Sequence, residues 1–410
     1  MGLLGIPKPR PWWWYLGPGF LVSVGYMDPG NWATSLEAGS RYGYRLLFVV
    51  TLSSAMAVLF QAIAARLGVA TGKDLAEHMR AHYPGAWGRF LFLTAFLAMV
   101  ATDLAEFMGM AVALNLLFGL PLVLAAWLTV LDVFLILYLE RFGFRALEWA
   151  ITALVAVIGL AYVVEVVLAR PPALELVRHL FLPNAVLGDA GALYVALGIL
   201  GATVMPHNLF LHSAQVKTRL GEGRKRVYRF LLLDTVLALS GAWLVNAAIL
   251  VVAASVFHTH GLVIRDLGEA YHTLVPLLGP LAAFAFGIGL LASGLSSTVT
   301  GTLAMQVVVE GFLGAKANRA RLRLLTRILA VLPASLALTL HASPMALIVF
   351  SQVLLSLQLP FTLFPLMRFS GDPNLMGSLL GPSWLRLLGW GATFLVLGLN
   401  LYLLKQALGS

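Results

Sequence analysis

The sequence predicts an all-α integral membrane protein, on three observations. Of its 410 residues 60% are hydrophobic and only 11% charged, against roughly 25% charged in a soluble domain, and the mean hydropathy is +0.90. Apolar windows of about 20 residues, the length a helix needs to cross a bilayer, recur at eleven centres, near residues 27, 57, 102, 130, 156, 204, 243, 295, 332, 356 and 395. One short pattern occurs twice inside those windows, as Gly25-Tyr26-Met27-Asp28-Pro29-Gly30-Asn31 and as Ala202-Thr203-Val204-Met205-Pro206-His207-Asn208.

Taken in order, the chain opens on a segment broken by Pro7, Pro9, Pro11 and Pro18, which lacks the continuous apolar run of a secretory leader. Trp12, Trp13, Trp14 and Tyr15 suit an aromatic belt at headgroup level. The first and sixth spans are the weakest by hydropathy, because each carries Asp, Asn or His at its middle. With the N-terminus cytoplasmic, the 27 Lys and Arg residues fall on the cytoplasmic side except Arg41, Arg45, Arg170, Arg178, Arg265 and Lys405. That asymmetry predicts N-terminus in and C-terminus out, with the densest anchors at 217–229 and 316–327. Topology then accounts for the net charge of +9, and a nucleic-acid partner loses its support. There is no cysteine, so disulfides, thiolate metal sites and Cys nucleophiles are excluded together. Without an Asn-x-Ser/Thr sequon or a long polar insert, the expected location is a prokaryotic plasma (inner) membrane.

The two breaks lie at matching places in the first and sixth spans. Proline removes the amide that would bond the carbonyl four residues back, which frees the carbonyls of Gly25 and Ala202. A polar backbone group in hydrocarbon costs several kcal/mol unless something satisfies it, so a broken helix belongs where it lines a cavity. The offset between the copies predicts two repeats of five spans within one membrane transport domain, 1–410. The repeats run over about 12–170 and 190–370, with an extra helix at about 384–406. Five is odd, so the second repeat enters the membrane from the opposite face. Inverted repeats with discontinuous helices build many secondary transporters, whose substrate sits between the breaks.

At these breaks Asp28 offers a carboxylate, Asn31 an amide oxygen, Met205 a thioether, and Gly25 and Ala202 their carbonyls. Oxygen ligands alone suit Mg²⁺ or Ca²⁺; the thioether turns the preference toward Mn²⁺, Fe²⁺ or a similar ion. Singly, Met205 reads equally as core packing and Asn31 as the cap of the half-helix after Pro29. Their symmetrical placement beside two prolines favours the ligand reading.

On these motifs the chain resembles the natural resistance-associated macrophage protein (Nramp) family of proton-coupled divalent metal transporters, in its bacterial manganese-transporting type. Asp28-Pro29-Gly30-Asn31 and Met205-Pro206-His207-Asn208 match the two signature breaks of that family, and the resemblance runs over essentially the whole chain. It implies the LeuT-like fold and a metal site of Asp28, Asn31, Met205 and the Ala202 carbonyl. Family members that prefer Mg²⁺ lack the methionine, so selectivity against Mg²⁺ and Ca²⁺ is implied here. Where the family usually has alanine, this chain has Gly25, whose carbonyl stays available. The resemblance further implies an occluding glutamine in span ten, Gln352, and a polar contact from span two, Gln61. For each glutamine the alternative is a hydrogen bond that braces a broken helix across the bundle. No permanently bound cofactor is expected; the transported ions are Mn²⁺ or Fe²⁺, Cd²⁺-like soft ions, and H⁺. The protein is expected to be a monomer in the bilayer.

Asp103 and Glu106, spaced i, i+3, share one face of span three, and ionisable residues inside a membrane mark ion or proton paths. With His207 and Arg327 they suggest a route for protons leaving Asp28, as the resemblance also implies. The alternative is a static network in which Arg327 pairs Glu106. His212, Asp132, Glu140, Asp234 and Glu310 read as lying nearer span ends and carry no functional expectation. The expected activity is import into the cytoplasm by alternating access, driven by membrane potential and proton gradient. Three rivals stand beside it. An amino-acid-type symporter of the same fold would bring an anionic substrate that Asp28 repels. A channel would also need acidic ligands. A membrane metalloenzyme would need a cluster such as His-Glu-x-x-His, which is absent.

Overall fold

The computed structural model describes residues 12–132, 144–183, 188–221, 223–314, 316 and 318–408. Among the described residues there are helices and their connections, and no strand. In chain order the helices are α1 (Pro18–Gly25), α2 (Pro29–Tyr42), α3 (Leu47–Thr71), α4 (Leu75–His82), α5 (Gly85–Phe118), α6 (Leu122–Leu128), α7 (Phe144–Ala169), α8 (Ala173–Phe181) and α9 (Ala190–Thr203). They continue as α10 (Pro206–Gln215), α11 (Arg224–Val256), α12 (Leu267–Leu278), α13 (Pro280–Leu313), α14 (Arg319–Thr339), α15 (Pro344–Ser370), α16 (Pro373–Met376) and α17 (Ser383–Leu408). Eight helical stretches among the described residues are long and apolar enough to cross a bilayer, and Leu122–Leu131 and Leu324–Thr339 are shorter apolar helices. The expected fourth span runs from the first of these into 133–143, outside the described residues, as does Glu140. The expected first span is two pieces, α1 and α2, and the sixth is α9 and α10.

Local chemistry sets the helix ends. The amides of Gly17 and Gly19 at the start of α1 donate to Asp234 Oδ2 at 3.1 and 2.7 Å. A carboxylate there satisfies orphan donors and suits the positive end of the helix dipole. Asp234, given no role from sequence, is thus a cap supplied by another helix, α11. Tyr15 is 5% exposed and stacks on Phe230 at 5.4 Å, so it belongs to the core rather than to a headgroup belt. Trp14 lies beneath the Arg219 guanidinium at 5.3 Å.

At the end of the bundle expected to face the cytoplasm, α4 begins with a capping box: Asp74 accepts from the Glu77 amide at 2.9 Å and Glu77 from the Asp74 amide at 2.7 Å. Lys217, just beyond α10, reaches both carboxylates at 2.6 and 2.9 Å, and the Leu75 amide donates to Ser213 Oγ at 3.0 Å. Partial burial opposes ionisation of Glu77, but the Lys217 ammonium outweighs it and leaves that carboxyl below its ordinary value. Its contribution to folding is therefore present at neutral pH and is lost as pH falls through the depressed value. Asp74→Ala removes the cap and leaves Lys217 with Glu77 alone, and is expected to cost about 1–2 kcal/mol, read as a lower melting temperature of the detergent-solubilised protein.

The packing places the breaks at the centre. α2 packs on α11, α10 on α3, and α3 on α11; α5 packs on α13 and α15, α7 on α13, and α9 on α15. Two of these crossings are backbone to backbone. Gly39 of α2 lies against the Leu250 carbonyl of α11, Gly68 of α3 against the Ser213 carbonyl of α10, and a Cβ at either would collide. α17 lies outside this assembly, against α15, where Asn400 donates to the Ser356 carbonyl at 2.9 Å.

Candidate metal centre

The first break is a short extended link. α1 closes with Tyr26 and Met27 amides bonding back to Ser23 and Val24 carbonyls at 3.0 and 3.1 Å, and Asp28 is extended, with φ −72° and ψ 165°. Asp28 caps α2: its Oδ1 accepts from the Asn31 backbone amide at 2.9 Å and from Asn31 Nδ2 at 2.8 Å. Its Oδ2 is buried and has no hydrogen-bond partner. The backbone freed by the break is satisfied from other helices, as a membrane interior requires. Asn246 Nδ2 of α11 donates to the Tyr26 carbonyl at 2.9 Å, and Ser293 Oγ of α13 to the Met27 carbonyl at 2.5 Å.

The second break faces the first. α9 ends at Thr203, and Val204 and Met205 turn the chain before Pro206 starts α10. The Ala202 carbonyl accepts from Asn31 Nδ2 at 2.8 Å, so the Asn31 carboxamide bridges the two breaks. Its oxygen in turn accepts from Thr203 Oγ1 at 3.3 Å and Asn246 Nδ2 at 3.2 Å. The Asn31 nitrogen therefore satisfies the Ala202 carbonyl, while the Asn31 oxygen is held by Thr203 and Asn246. Met205, fully buried, carries its sulfur 3.3 Å from Asn208 Nδ2. Gly25 lies against that same Asn208 carboxamide.

Gln352 of α15 closes the centre from a third side. Its carboxamide rests on Gly30, where an added Cβ would collide with it and would sit 2.8 Å from Asp28 Oδ2. Gln352 Nε2 donates to Ser351 Oγ at 3.1 Å, while its Oε1 is buried without a partner. Asn208 Oδ1 is likewise buried and without a partner. Acceptor oxygens without donors, on Asp28, Gln352, Asn208 and Asn246, thus lie around the breaks together with a thioether. Buried acceptors in this condition are costly, and they are the kind of oxygen that a cation satisfies. Among the described residues no cluster of three His, Cys, Asp or Glu side chains is placed to hold a metal; the polar groups at these breaks are one carboxylate, amides and a thioether.

Beside it, Gln61 of α3 donates to Tyr26 Oη at 2.8 Å, and its Oε1 meets His212 Nδ1 at 2.9 Å. Gln61 thereby ties the first break to α10. The acidic residues of α5 lie on the other side. Arg327 of α14 is fully buried and donates to Asp132 Oδ2 at 2.5 Å and Thr298 Oγ1 at 2.7 Å. Asp103 Oδ1 is 3.7 Å away and Glu106 Oε2 4.0 Å. The main partner of Arg327 is therefore Asp132, not Glu106 as the static alternative had it. A buried guanidinium requires a close carboxylate, and Asp132 meets that requirement. His207 Nδ1 lies 3.2 Å from Thr102 Oγ1, next to Asp103 in sequence, and does not itself reach either acid.

Residues 19–406 match the family described as natural resistance-associated macrophage protein-like. The chain belongs to the Nramp family. A divalent metal cation transporter MntH of Xanthomonas campestris pv. campestris is 48% identical over 420 residues, covering 99% of this chain and 94% of that one. A crystal structure of the Eremococcus coleocola manganese transporter, in complex with an aromatic bis-isothiourea substituted compound, is 35% identical with a TM-score of 0.87, covering 97% of this chain and 88% of that one. MhsT in complex with L-phenylalanine, at 16% identity and TM-score 0.62 over 93% of this chain and 98% of that one, shares the fold alone.

Within this Nramp chain, sequence reasoning missed Asn208, Asn246, Ser293, His212 and Asp132. Asn208 had a signal, since it stands in the second motif where Asn31 stands in the first. Asn246 and Ser293 act by reaching freed carbonyls from distant helices, and no spacing rule encodes that.

Proposed function

We propose that the chain imports divalent transition-metal ions, Mn²⁺ or Fe²⁺, into the cytoplasm by alternating access with protons as the coupling ion. The observation that carries this is the convergence of two helix breaks and Gln352 on buried acceptor oxygens and the Met205 sulfur. The names of the relatives as divalent metal and manganese transporters point the same way. Asp28, Met205 and Gln352 are the direct ligands; Asn31 and the Ala202 carbonyl join once their present hydrogen bonds are released, and the Gly25 carbonyl closes the set. Thioether sulfur sets the preference for Mn²⁺ or Fe²⁺ over Mg²⁺ and Ca²⁺.

Packing supports eleven spans in a LeuT-like 5+5 arrangement within one domain, 1–410. Exchanging the halves maps the α2–α11 contact onto α10–α3, and the α15–α5 contact onto α7–α13. Charge asymmetry supports a cytoplasmic N-terminus and an extracytoplasmic C-terminus.

When a cation displaces its proton, Asp28 couples the two ions through one carboxylate. Asp103 borders a space of about 10 Å³ with Gln306 and Thr326, room for one water. A proton passes there and a hydrated metal does not. Neutralising both acids, Asp103→Asn with Glu106→Gln, is expected to cut metal-stimulated proton influx several-fold and flatten its pH dependence while Mn²⁺ binding persists. Asp132→Asn removes the nearest carboxylate from buried Arg327 and leaves it Asp103 at 3.7 Å and Glu106 at 4.0 Å; it is expected to cost about 1–3 kcal/mol of stability. Parallel Mn²⁺ flux, vesicle acidification and melting temperature separate a relay from a brace, and wild-type proton flux in the double variant would sink the relay.

The deciding experiment for the whole reading is uptake into reconstituted vesicles. Saturable Mn²⁺ uptake stimulated by external acid and indifferent to Na⁺ is expected. Na⁺-dependent amino-acid uptake without metal dependence would support an organic-solute symporter of this fold instead.

A further inference from the structure

The buried face of α7 carries Ile158, Ala161, Tyr162 and Glu165, while Leu160, Val163 and Val167 of the same helix are exposed. Glu165 is 1% exposed, yet its Oε1 has no hydrogen-bond partner, and it belongs neither to the metal centre nor to the network around Arg327. Tyr162, one turn earlier on that face, has a buried Oη that is likewise without a partner. The ring of Tyr162 meets Trp32 of α2, centre to centre at 4.7 Å, and Trp32 meets Phe286 of α13 at 5.4 Å. Trp32 Nε1 is also buried without a partner. Two donors and a carboxyl, all unpartnered, thus follow one another along the buried face of α7 and its contact with α2.

Trp32 stands one turn beyond Asp28, its amide bonded to the Asp28 carbonyl at 3.3 Å. In the orientation proposed above the first and fifth spans both run outward, so Trp32 is on the outer side of the metal centre and Glu165 on the outer side of Tyr162. At the Trp32 level the packing is tight, since an added Cβ at Gly289 would meet Trp32 Cη2 at 2.8 Å and Ala161 Cβ at 3.3 Å. Four residues beyond Glu165, about 6 Å along the same face, Ala169 lines a cavity of about 360 Å³ at the outer end of the bundle. No charge answers the carboxyl from the helices packed on α7. α1 has none, α13 has Glu310 at its far end, and α11 has its basic residues and Asp234 at its cytoplasmic end. α12 brings Glu269, Tyr271 and His272; α2 brings Glu37 and Arg41, which pair with each other at 3.3 Å. On α7 itself Arg145 and Glu148 stand about five turns earlier. The outer cavity adds Tyr42, Tyr44, Arg45, Arg170, Glu175, His179 and His258. Among the described residues none of these makes an ion pair or a hydrogen bond with Glu165.

Resting on the reading of the chain as an importer that works by alternating access, we propose that Glu165 is a second proton-binding site, which takes a proton from the outer solution as α2 closes on α7 and returns it when they part. An unpaired carboxylate is costly inside a membrane protein, away from water, so the closed seam holds the neutral acid. When Trp32 leaves Tyr162, water from the outer cavity reaches the carboxyl, and the O–H bond breaks to give that water its proton. On closing, the bond forms again with a proton from outside. The closed state binds one proton more than the open one, so closure is favoured as external pH falls and opposed as it rises. This proton does not cross the membrane; the one that leaves Asp28 by way of Asp103 and Glu106 does. Glu165 thus governs closure over a bound ion, apart from the coupling at Asp28.

The test is Mn²⁺ uptake by vesicles holding the full chain, with internal pH fixed and external pH varied from mildly acid to mildly alkaline, beside vesicle acidification and calorimetric Mn²⁺ binding. Glu165→Gln, whose amide stands in for the neutral acid, is expected to raise the alkaline rate several-fold toward the acid rate, with the protons entering per metal ion and the Mn²⁺ Kd unchanged. Glu165→Met, also permanently neutral, should flatten the external profile likewise. Glu165→Asp still titrates and should keep the slope. A wild-type external profile in the Gln and Met variants overturns the proposal and leaves that dependence to groups such as His179 and His258. A fall in protons per metal ion overturns it too, because Glu165 would then belong to the relay. Loss of folding in both neutral variants also overturns it, since the proposal makes the neutral form the stable one in the closed seam. Failure of the importer reading looks different: the unsubstituted chain would take up no Mn²⁺ at any external pH.

Discussion

Asp28→Ala is expected to abolish Mn²⁺ transport and to weaken binding by about a thousandfold, ~4 kcal/mol, because it removes the one full charge that the centre offers a dehydrated divalent ion. Asp28 also caps α2 through Asn31, so part of any loss in the alanine variant is structural. Asp28→Asn separates the effects, since an amide oxygen still accepts from the Asn31 backbone but carries no charge. Both variants should fail to bind metal, and only the alanine should lose the cap. Asn31→Ala leaves the charge in place and is expected to impair transport less, through loss of the bridge to the Ala202 carbonyl. Calorimetry with Mn²⁺ on the three purified variants measures this, and near-wild-type affinity without the Asp28 carboxylate would overturn the site.

Met205→Ala is expected to change what is transported rather than whether transport occurs. Removing the sulfur leaves Asp28, Gln352 and backbone carbonyls, an oxygen set that hard ions accept. The preference for Mn²⁺ over Ca²⁺ should fall by at least about tenfold, ~1.4 kcal/mol, and Mg²⁺ should begin to compete. The freed Asn208 Nδ2, which now donates to the sulfur, remains at the break, so some loss of affinity for every ion is expected as well. Uptake of Mn²⁺ against excess Ca²⁺ reads the effect, and an unchanged competition profile would remove Met205 from the ligand set.

Much of the fold was legible because its causes are local. Proline at 29 and 206 removes an amide wherever the chain goes, so the breaks could be placed from sequence. The family was legible for the same reason, through motifs of adjacent residues. Partnerships made across the bundle were not. The carbonyls of Tyr26 and Met27 had to be satisfied by something, yet that Asn246 and Ser293 do so depends on how α11 and α13 cross. Arg327 had to find a carboxylate, and three stood within plausible reach; the choice of Asp132 follows from the approach of α14 to the segment after α6. Asp234 and Tyr15 were misjudged alike, because closeness to a span end says nothing about what neighbouring helices bury.

The two glycine crossings constrain how the machine moves. Where Gly39 meets the Leu250 carbonyl and Gly68 meets the Ser213 carbonyl, only the Ala253 and Val216 methyl groups come as close, so there is little slack for one helix to slide past the other. Each half-helix is clamped to its partner, α2 to α11 and α10 to α3, and must travel with it as one lever. The bending then falls on the links between the half-helices, at residues 26–28 and 204–205. Those links carry Asp28 and Met205. The pivot and the proposed metal site are the same few residues, so an ion gripped there would stiffen the joint on which the lever turns.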